Sequence, residues 1–255
     1  MVRVRHTVFV EAVPRAWFMA ALSFLVELAE DSRVEAGRVV LPDGAAVPDL
    51  RLTTGRHLRP GAVYADDEGA ARVTVRAWDR RRGLGLDLDA TSPDGTLHLE
   101  GALRGPDRPR LIKVTGEAAG TRVWPSLLRA RGGVTLRPED WWTAFDRGRK
   151  PSGPPARARL DHRLARAEVG AMPVRRAADG RWEVRVTVVL RGRGVLRPFA
   201  AVALRLAGAR LRRAVVRGLD DAAAQWNDEV PKLVAEDPAA LRERLTAAPG
   251  DDPSK

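Results

Sequence analysis

Four consecutive runs between residues 71 and 116 alternate apolar with polar side chains, and this pattern restricts the fold more than any other feature of the sequence. Alternation with a period of two places the apolar side chains of a strand on one face of a sheet. Two connections carry strong turn sequences, Ser92-Pro93-Asp94-Gly95 and Gly105-Pro106-Asp107. Because short turns join antiparallel neighbours, the runs predict an antiparallel meander. The apolar positions of the first three runs are Val73, Val75, Ala77, Leu84, Leu86, Leu88, Leu97, Leu99 and Leu103.

The flanks of this region predict two more strands and two helices. Residues 2–10 alternate as a strand, and a helix is expected from Pro14 to about Glu30. A second strand is expected over 182–191, and we expect residues 2–10 to pair into the same sheet. A long amphipathic helix is predicted from about Pro198 onward. Its apolar stripe comprises Leu204, Leu211, Val215, Leu219, Ala222 and Trp226.

The composition excludes several classes of site. The chain has no cysteine, which removes disulfides, thiolate metal sites and cysteine nucleophiles. Neither a cofactor motif nor a metal-binding motif is present, so no cofactor and no metal are expected. The net charge is +11, but aromatic platforms and base-reading motifs are missing, so we expect no nucleic-acid partner.

The longest apolar run, residues 16–29, contains 14 residues and includes Glu27. A membrane-spanning helix needs about 20 residues, and neither the preceding residues nor the following ones suit a signal peptide. A cytoplasmic protein is therefore expected. The apolarity of the run leaves peripheral membrane contact as an alternative.

A basic stretch rich in proline and glycine, RGRKPSGPPARAR, occupies residues 147–159 and predicts a loop or linker. We expect one domain over residues 1–235, with an insertion or extension at about 120–160, and a polar C-terminal tail over 236–255. The alternative is two domains divided near residue 150. Limited proteolysis within the stretch distinguishes these possibilities, since two separable stable fragments would support the division.

Three segments resemble the START-like helix-grip fold, also called the SRPBCC or polyketide cyclase/dehydrase superfamily. HTVFVEAVPRAWFMAAL resembles its first strand and helix, and GAARVTVRAWDRRRGLGLDLDATSPDGTLHLEGAL resembles its central meander. VRVTVVLRGRGVLRPFAAVALRLAGARLRRAVVRGLDDAAAQW resembles its last strand and closing helix. The resemblance implies an α+β fold in which a curved antiparallel sheet surrounds a long C-terminal helix. The chain is about 100 residues longer than is common in that superfamily.

The resemblance also implies a hydrophobic cavity between the sheet and the long helix. Members bind lipids, sterols or polyketides, and some catalyse cyclisation. The first functional expectation is therefore binding of a hydrophobic small molecule or lipid. The alternatives are a cyclase or aromatase acting in the same cavity and a basic module that binds nucleic acid or an anionic membrane surface. No catalytic residue can be assigned, and the oligomeric state stays open.

Five residues are candidates for lining such a cavity. His6 and His162 share the apolar parity of their strands, and Trp182 lies on an apolar strand face. Trp226 belongs to the helical stripe, and Tyr64, the only tyrosine, ends a short strand predicted over His57–Tyr64. A histidine on an apolar face is either a satisfied core residue or a proton donor and acceptor for a ligand.

Overall fold

The structure is a computed structural model that describes residues 1–120, 129–146, 148, 151–192 and 208–236. Strands dominate these residues, and three helices accompany them. The helices are α1 (Arg15–Asp31), α2 (Pro138–Asp146) and α3 (Gly208–Ala235). The strands are β1 (Val2–Val10), β2 (Arg33–Glu35), β3 (Arg38–Val40), β4 (Ala46–Thr54), β5 (Val63–Ala65), β6 (Ala71–Asp79), β7 (Gly83–Ser92), β8 (Gly95–Arg104), β9 (Leu111–Gly120), β10 (Ala130–Leu136), β11 (Ala156–His162), β12 (Ala165–Arg176) and β13 (Trp182–Gly192).

All thirteen strands form one antiparallel sheet in the order β1-β13-β12-β11-β10-β9-β8-β7-β6-β5-β4-β3-β2. From β2 to β13 every strand pairs with its neighbours in the chain, as the turn sequences predict. The exception is β1, which pairs with β13 from Val2 opposite Leu190 to Val10 opposite Trp182. This confirms the expected placement of residues 2–10 in the same sheet as residues 182–191.

The predicted α+β helix-grip fold, a curved antiparallel sheet around a long C-terminal helix, is wrong. The sheet does not curve around α3, and α3 packs against β1 at the sheet edge. None of the side chains of α3 is buried, whereas a gripped helix would bury its apolar stripe. Thirteen strands form a surface too wide for one edge helix to cover, so α3 does not enclose the cavity that was expected beneath it. Residues 198–207 of the predicted helix lie outside the described residues.

One face of the sheet is apolar across at least nine strands. Residues opposite each other in an antiparallel pair point to the same face, so the register defines rows that cross the sheet. One row runs from β6 to β1 without a polar side chain. It comprises Val75, Leu86, Gly101, Val114, Val134, Ala158, Val169, Val188 and Val4. We call this side the apolar face.

The opposite side, which we call the charged face, carries a row of ionisable side chains from β6 to β13. Ion pairs join neighbours within it, including His98 to Asp89 at 2.7 Å and Arg131 to Glu117 at 2.6 Å. Pairs of this kind in water contribute little each, but they identify the face that solvent covers. The row comprises Arg72, Asp89, His98, Glu117, Arg131, Asp161, Arg166 and Arg191.

Two hydrophobic clusters lie on the apolar face, toward opposite ends of the strand order. The first surrounds β1 and β13, where α2 contributes Trp142 and α1 contributes Phe18, with ring centroids 5.1 Å apart. The second surrounds β3, β5 and β6 and includes Val39, Tyr64 and Val75. Each cluster is covered by helix or loop, and the strands between them form the middle of the sheet.

The sequence pattern misplaces two elements. The predicted strand over His57–Tyr64 begins only at Val63, because Leu58 adopts a left-handed conformation with φ of 52° that ends strand geometry. The predicted linker over 147–159 already enters β11 at Ala156. Within the described residues, no helix combines the length and the apolarity needed to cross a lipid bilayer.

Candidate functional site

An apolar cavity of about 280 Å³ lies between the C-terminal half of α1 and the strands of the second cluster. This volume is close to the lower end of the range of about 300–1,000 Å³ for small-molecule pockets. The lining is aliphatic and aromatic except at one end, where Ser32, His57 and Tyr64 meet. The other lining residues are Leu25, Leu28, Ala29, Val39, Leu41, Val47, Leu50, Leu58, Val73, Val75, Trp78 and Leu86.

Three separate elements bring the polar end together. Ser32 follows the last residue of α1, Tyr64 is on β5, and His57 belongs to the turn between β4 and β5. That turn is tight, because a Cβ on Gly55 would lie 3.0 Å from Ala62 Cα and because Gly55 has a φ of 84°. Any residue other than glycine would be strained at this position, because it would have to adopt a positive φ. Gly55 therefore helps to hold His57 over the cavity.

A chain of hydrogen bonds connects the three side chains. The Leu58 N–H donates to Tyr64 Oη at 2.9 Å, and Tyr64 Oη lies 2.8 Å from His57 Nδ1. His57 Nε2 is 3.0 Å from Ser32 Oγ, and the Ser32 hydroxyl donates to the Ala29 carbonyl at 2.7 Å. Both ends of the chain are fixed, since an amide N–H only donates and a carbonyl only accepts.

The carbonyl end determines the direction of the bond between Ser32 and His57. Tyr64 accepts from the backbone, so its own proton is free to donate to His57 Nδ1. Ser32 gives its proton to Ala29, so it accepts from His57 Nε2. This arrangement places a proton on His57 Nε2. Because His57 Nε2 donates to Ser32, it does not accept the proton of that hydroxyl in this arrangement.

Burial raises the pKa of the Tyr64 hydroxyl, and the hydrogen bond from the Leu58 N–H partly opposes the change. The ring is 5% exposed. Low polarity around the ring disfavours the phenolate. The tyrosine is consequently held in its protonated form, which the donor bond to His57 requires.

The cavity is not closed on the side of β7. Leu86 lines it and is nevertheless 37% exposed. Across the next strands the apolar face continues with exposed aliphatic side chains, and Val134 and Leu160 are 53% and 51% exposed. Extended exposed apolar surface is uncommon on soluble proteins and accompanies binding sites. The cavity and this surface together form one apolar region.

Two of the sequence candidates fasten α3 to β1. His6 Nε2 lies 2.6 Å from a carboxylate oxygen of Asp220, and Trp226 Nε1 donates to the Glu11 carbonyl at 2.9 Å. Both side chains already have partners from the other element. Their contacts explain why α3 sits at this edge.

The other candidates lie at two further places. Trp182 is buried in the first cluster, stacked on Phe145 with centroids 4.9 Å apart, and its Nε1 has no hydrogen-bond partner among the described residues. His162 ends β11, and its Nδ1 accepts from the Leu164 N–H at 3.3 Å. Tyr64 on β5 is nine strand positions from His6, roughly 40 Å along the sheet at about 4.8 Å per strand. The structure therefore brings none of the other four to Tyr64, and the ligand-binding role of each stays a prediction.

Sequence reasoning missed Ser32 and His57. Neither lies in an alternating run, since Ser32 ends a helix and His57 occupies a turn. The available signal was weak: a histidine seven residues before the only tyrosine, beside Gly55. Within the described part of the chain, no group of three or more histidine, aspartate or glutamate side chains is arranged to hold a metal ion.

No protein-family model, curated protein or solved structure matches the chain. The resemblance to the START-like superfamily stays an untested interpretation of the sequence. Functional conclusions consequently depend on the site itself.

Proposed function

We propose that the protein binds a small hydrophobic molecule or the apolar part of a lipid in the cavity between α1 and β3–β7. The observation that supports this most is the aliphatic lining of the cavity with a single polar end. Such a pocket gains affinity from the apolar area that it removes from water and selects orientation through its few polar groups.

The hydrogen-bond chain indicates which polar group the ligand carries. With Tyr64 donating to His57 Nδ1, every proton of Ser32, His57 and Tyr64 is used within the chain, so the remaining capacity consists of oxygen lone pairs on Ser32 and Tyr64. Lone pairs recognise a donor. A ligand with a hydroxyl group at the polar end fits better than a ketone or a carboxylate of the same shape.

The neutral apolar dye N-phenylnaphthylamine tests the cavity directly, since its fluorescence rises when it leaves water. We expect saturable binding that is lost in Ala29→Phe, because the added ring occupies the cavity beside Ser32. Leu50→Trp fills the cavity from the β4 side and serves as a second variant if Ala29→Phe unfolds. Thermal unfolding of each variant establishes that the fold is retained.

Ala16→Phe is the matched control, because Ala16 is exposed in the first turn of the same helix. It should bind the dye as the unchanged protein does. Equal binding by folded Ala29→Phe and Ala16→Phe would contradict the proposal. Native mass spectrometry of the purified protein then identifies any molecule that remains bound.

A further inference from the structure

A recess on the charged face of β1 and β13 combines two arginines with two threonines. Arg5 is opposite Thr187, and Thr7 is opposite Arg185. Residues of a given strand that differ by two share a face, so all four side chains point the same way. The two arginines are diagonal neighbours, whose backbones lie about 7–8 Å apart. Both guanidinium groups can therefore reach one ligand.

The recess has a volume of about 510 Å³, and on its β12 side it is lined by Gly170, which has no side chain. Gly170 is opposite Thr187, and a Cβ at that position would lie 2.9 Å from Pro154 Cγ. Glycine thus allows Pro154 to close one side of the recess, and Met172 lines it as well. The shape of the recess is therefore determined by the strand register and by the packing of Pro154 on Gly170, and not only by flexible side chains.

The charges in the recess are not neutralised within the described residues. No described carboxylate lines it, and neither Arg5 nor Arg185 forms an ion pair with a described side chain. Two other arginines of the same face do form ion pairs, Arg175 with Glu183 at 2.6 Å and Arg166 with Asp161 at 2.7 Å. Two cations held diagonally without a counter-charge repel each other, and an anion between them would relieve that repulsion.

We propose that this recess binds a phosphate-type oxyanion, held by the guanidinium groups of Arg5 and Arg185 and by the hydroxyls of Thr7 and Thr187. Guanidinium donors match the oxygen spacing of phosphate and bind it in a bidentate manner. Threonine hydroxyls add neutral donors on the remaining corners. The site is on the opposite side of the sheet from the apolar cavity, so it is independent of the proposed hydrophobic ligand. The phosphate group belongs either to a free anion or to a lipid headgroup.

The test is the thermal unfolding of the protein in inorganic phosphate at constant ionic strength, with chloride as the replaced anion. A specific ligand raises the midpoint in a saturable way, whereas screening depends on ionic strength alone. We expect the double variant Arg5→Gln/Arg185→Gln to weaken the apparent affinity for phosphate at least about tenfold. Equal responses of the variant and the unchanged protein would overturn the proposal, and so would equal effects of chloride and phosphate.

The matched control is Arg72→Gln/Arg104→Gln, which removes two exposed arginines from the charged face on β6 and β8. It lowers the net charge equally and should keep the response to phosphate. Co-sedimentation with phosphatidylcholine vesicles containing phosphatidic acid distinguishes the two sources of the group. Vesicle binding that soluble phosphate competes away supports a headgroup, and phosphate binding without vesicle binding supports a free anion. Vesicle binding that persists in Arg5→Gln/Arg185→Gln, without a response to phosphate, would show a diffuse surface effect and contradict the site.

Discussion

At the scale of single residues, Tyr64 couples the polar end of the cavity to the stability of the fold. Its ring belongs to the second hydrophobic cluster while its hydroxyl belongs to the hydrogen-bond chain. Ionisation would place a negative charge in an apolar surrounding and would remove the proton that His57 Nδ1 accepts. Deprotonation of Tyr64 at alkaline pH should therefore destabilise the fold, and this deprotonation can be measured separately from unfolding.

The ultraviolet absorbance of tyrosinate reports Tyr64 alone, because the chain contains one tyrosine. We expect the native protein to ionise above the ordinary value of 10.0, since burial raises the pKa. The unfolded chain loses the Tyr64 proton first, so the contribution of Tyr64 to the free energy of unfolding is constant below that value and falls as the pH rises through the pKa of the folded state. Tyr64→Phe should lack this decline. A native titration at or below the ordinary pKa would contradict the arrangement.

At the scale of elements, α3 depends on hydrogen bonds to the free edge of β1. Asn227 makes two of them: its Oδ1 accepts from the Glu11 N–H at 2.7 Å, and its Nδ2 donates to the Phe9 carbonyl at 3.0 Å. An edge strand leaves a row of unpaired backbone groups. The side-chain amide of Asn227 offers one acceptor and one donor, as a backbone peptide does, and it pairs with both of these backbone groups.

Asn227→Ala should lower the free energy of unfolding by about 1–2 kcal/mol, because it leaves a partly buried N–H and a carbonyl with only water as partner. Urea denaturation measures the change. Gln225→Ala is the matched control, since Gln225 is exposed two positions earlier in α3, and it should change stability little. Similar losses in both variants would contradict a specific contribution of the edge contact.

The strands could be predicted where alternation and turn residues agree, as in β6 to β9 and in the pairing of β1 with β13. The cavity could not, because its polar end depends on a helix terminus, a turn and a strand that only tertiary packing brings together. Tyr64 was identified from its chemistry, whereas Ser32 and His57 carry no periodic signal. The helix-grip prediction failed for a related reason: local patterns specify strands and helices, but not how much of a sheet a helix covers.

At the scale of the whole molecule, the apolar face is covered at its two ends and exposed in its middle. Val188 and Val134 belong to the same row across the sheet, yet their exposed fractions are 7% and 53%. Position along the row, and not residue type, decides the surroundings of each. This difference in exposure predicts that substitution by lysine is tolerated at Val134 and destabilising at Val188.

Val134→Lys should keep the fold and change the free energy of unfolding by less than about 1 kcal/mol, because the ammonium group reaches water. Val188→Lys should destabilise by about 3 kcal/mol or more, or prevent folding, because the charge would lie within the first cluster. Thermal and urea unfolding of the two variants provide the comparison. Equal destabilisation would show that the middle of the face is covered in solution.

The meander also determines how a sheet of this width could have grown. Because neighbours in the chain are neighbours in the sheet, an antiparallel hairpin can be added or removed in the middle without reversing the direction of any other strand. Removal of β8 and β9 together would leave β7 facing β10 in the correct sense. The cavity is lined by strands on one side of β8 and β9 in the sheet order, and β1, which contacts α3, lies on the other side. A change of this kind would alter the width of the exposed apolar surface in steps of two strands, while both ends keep their own contacts.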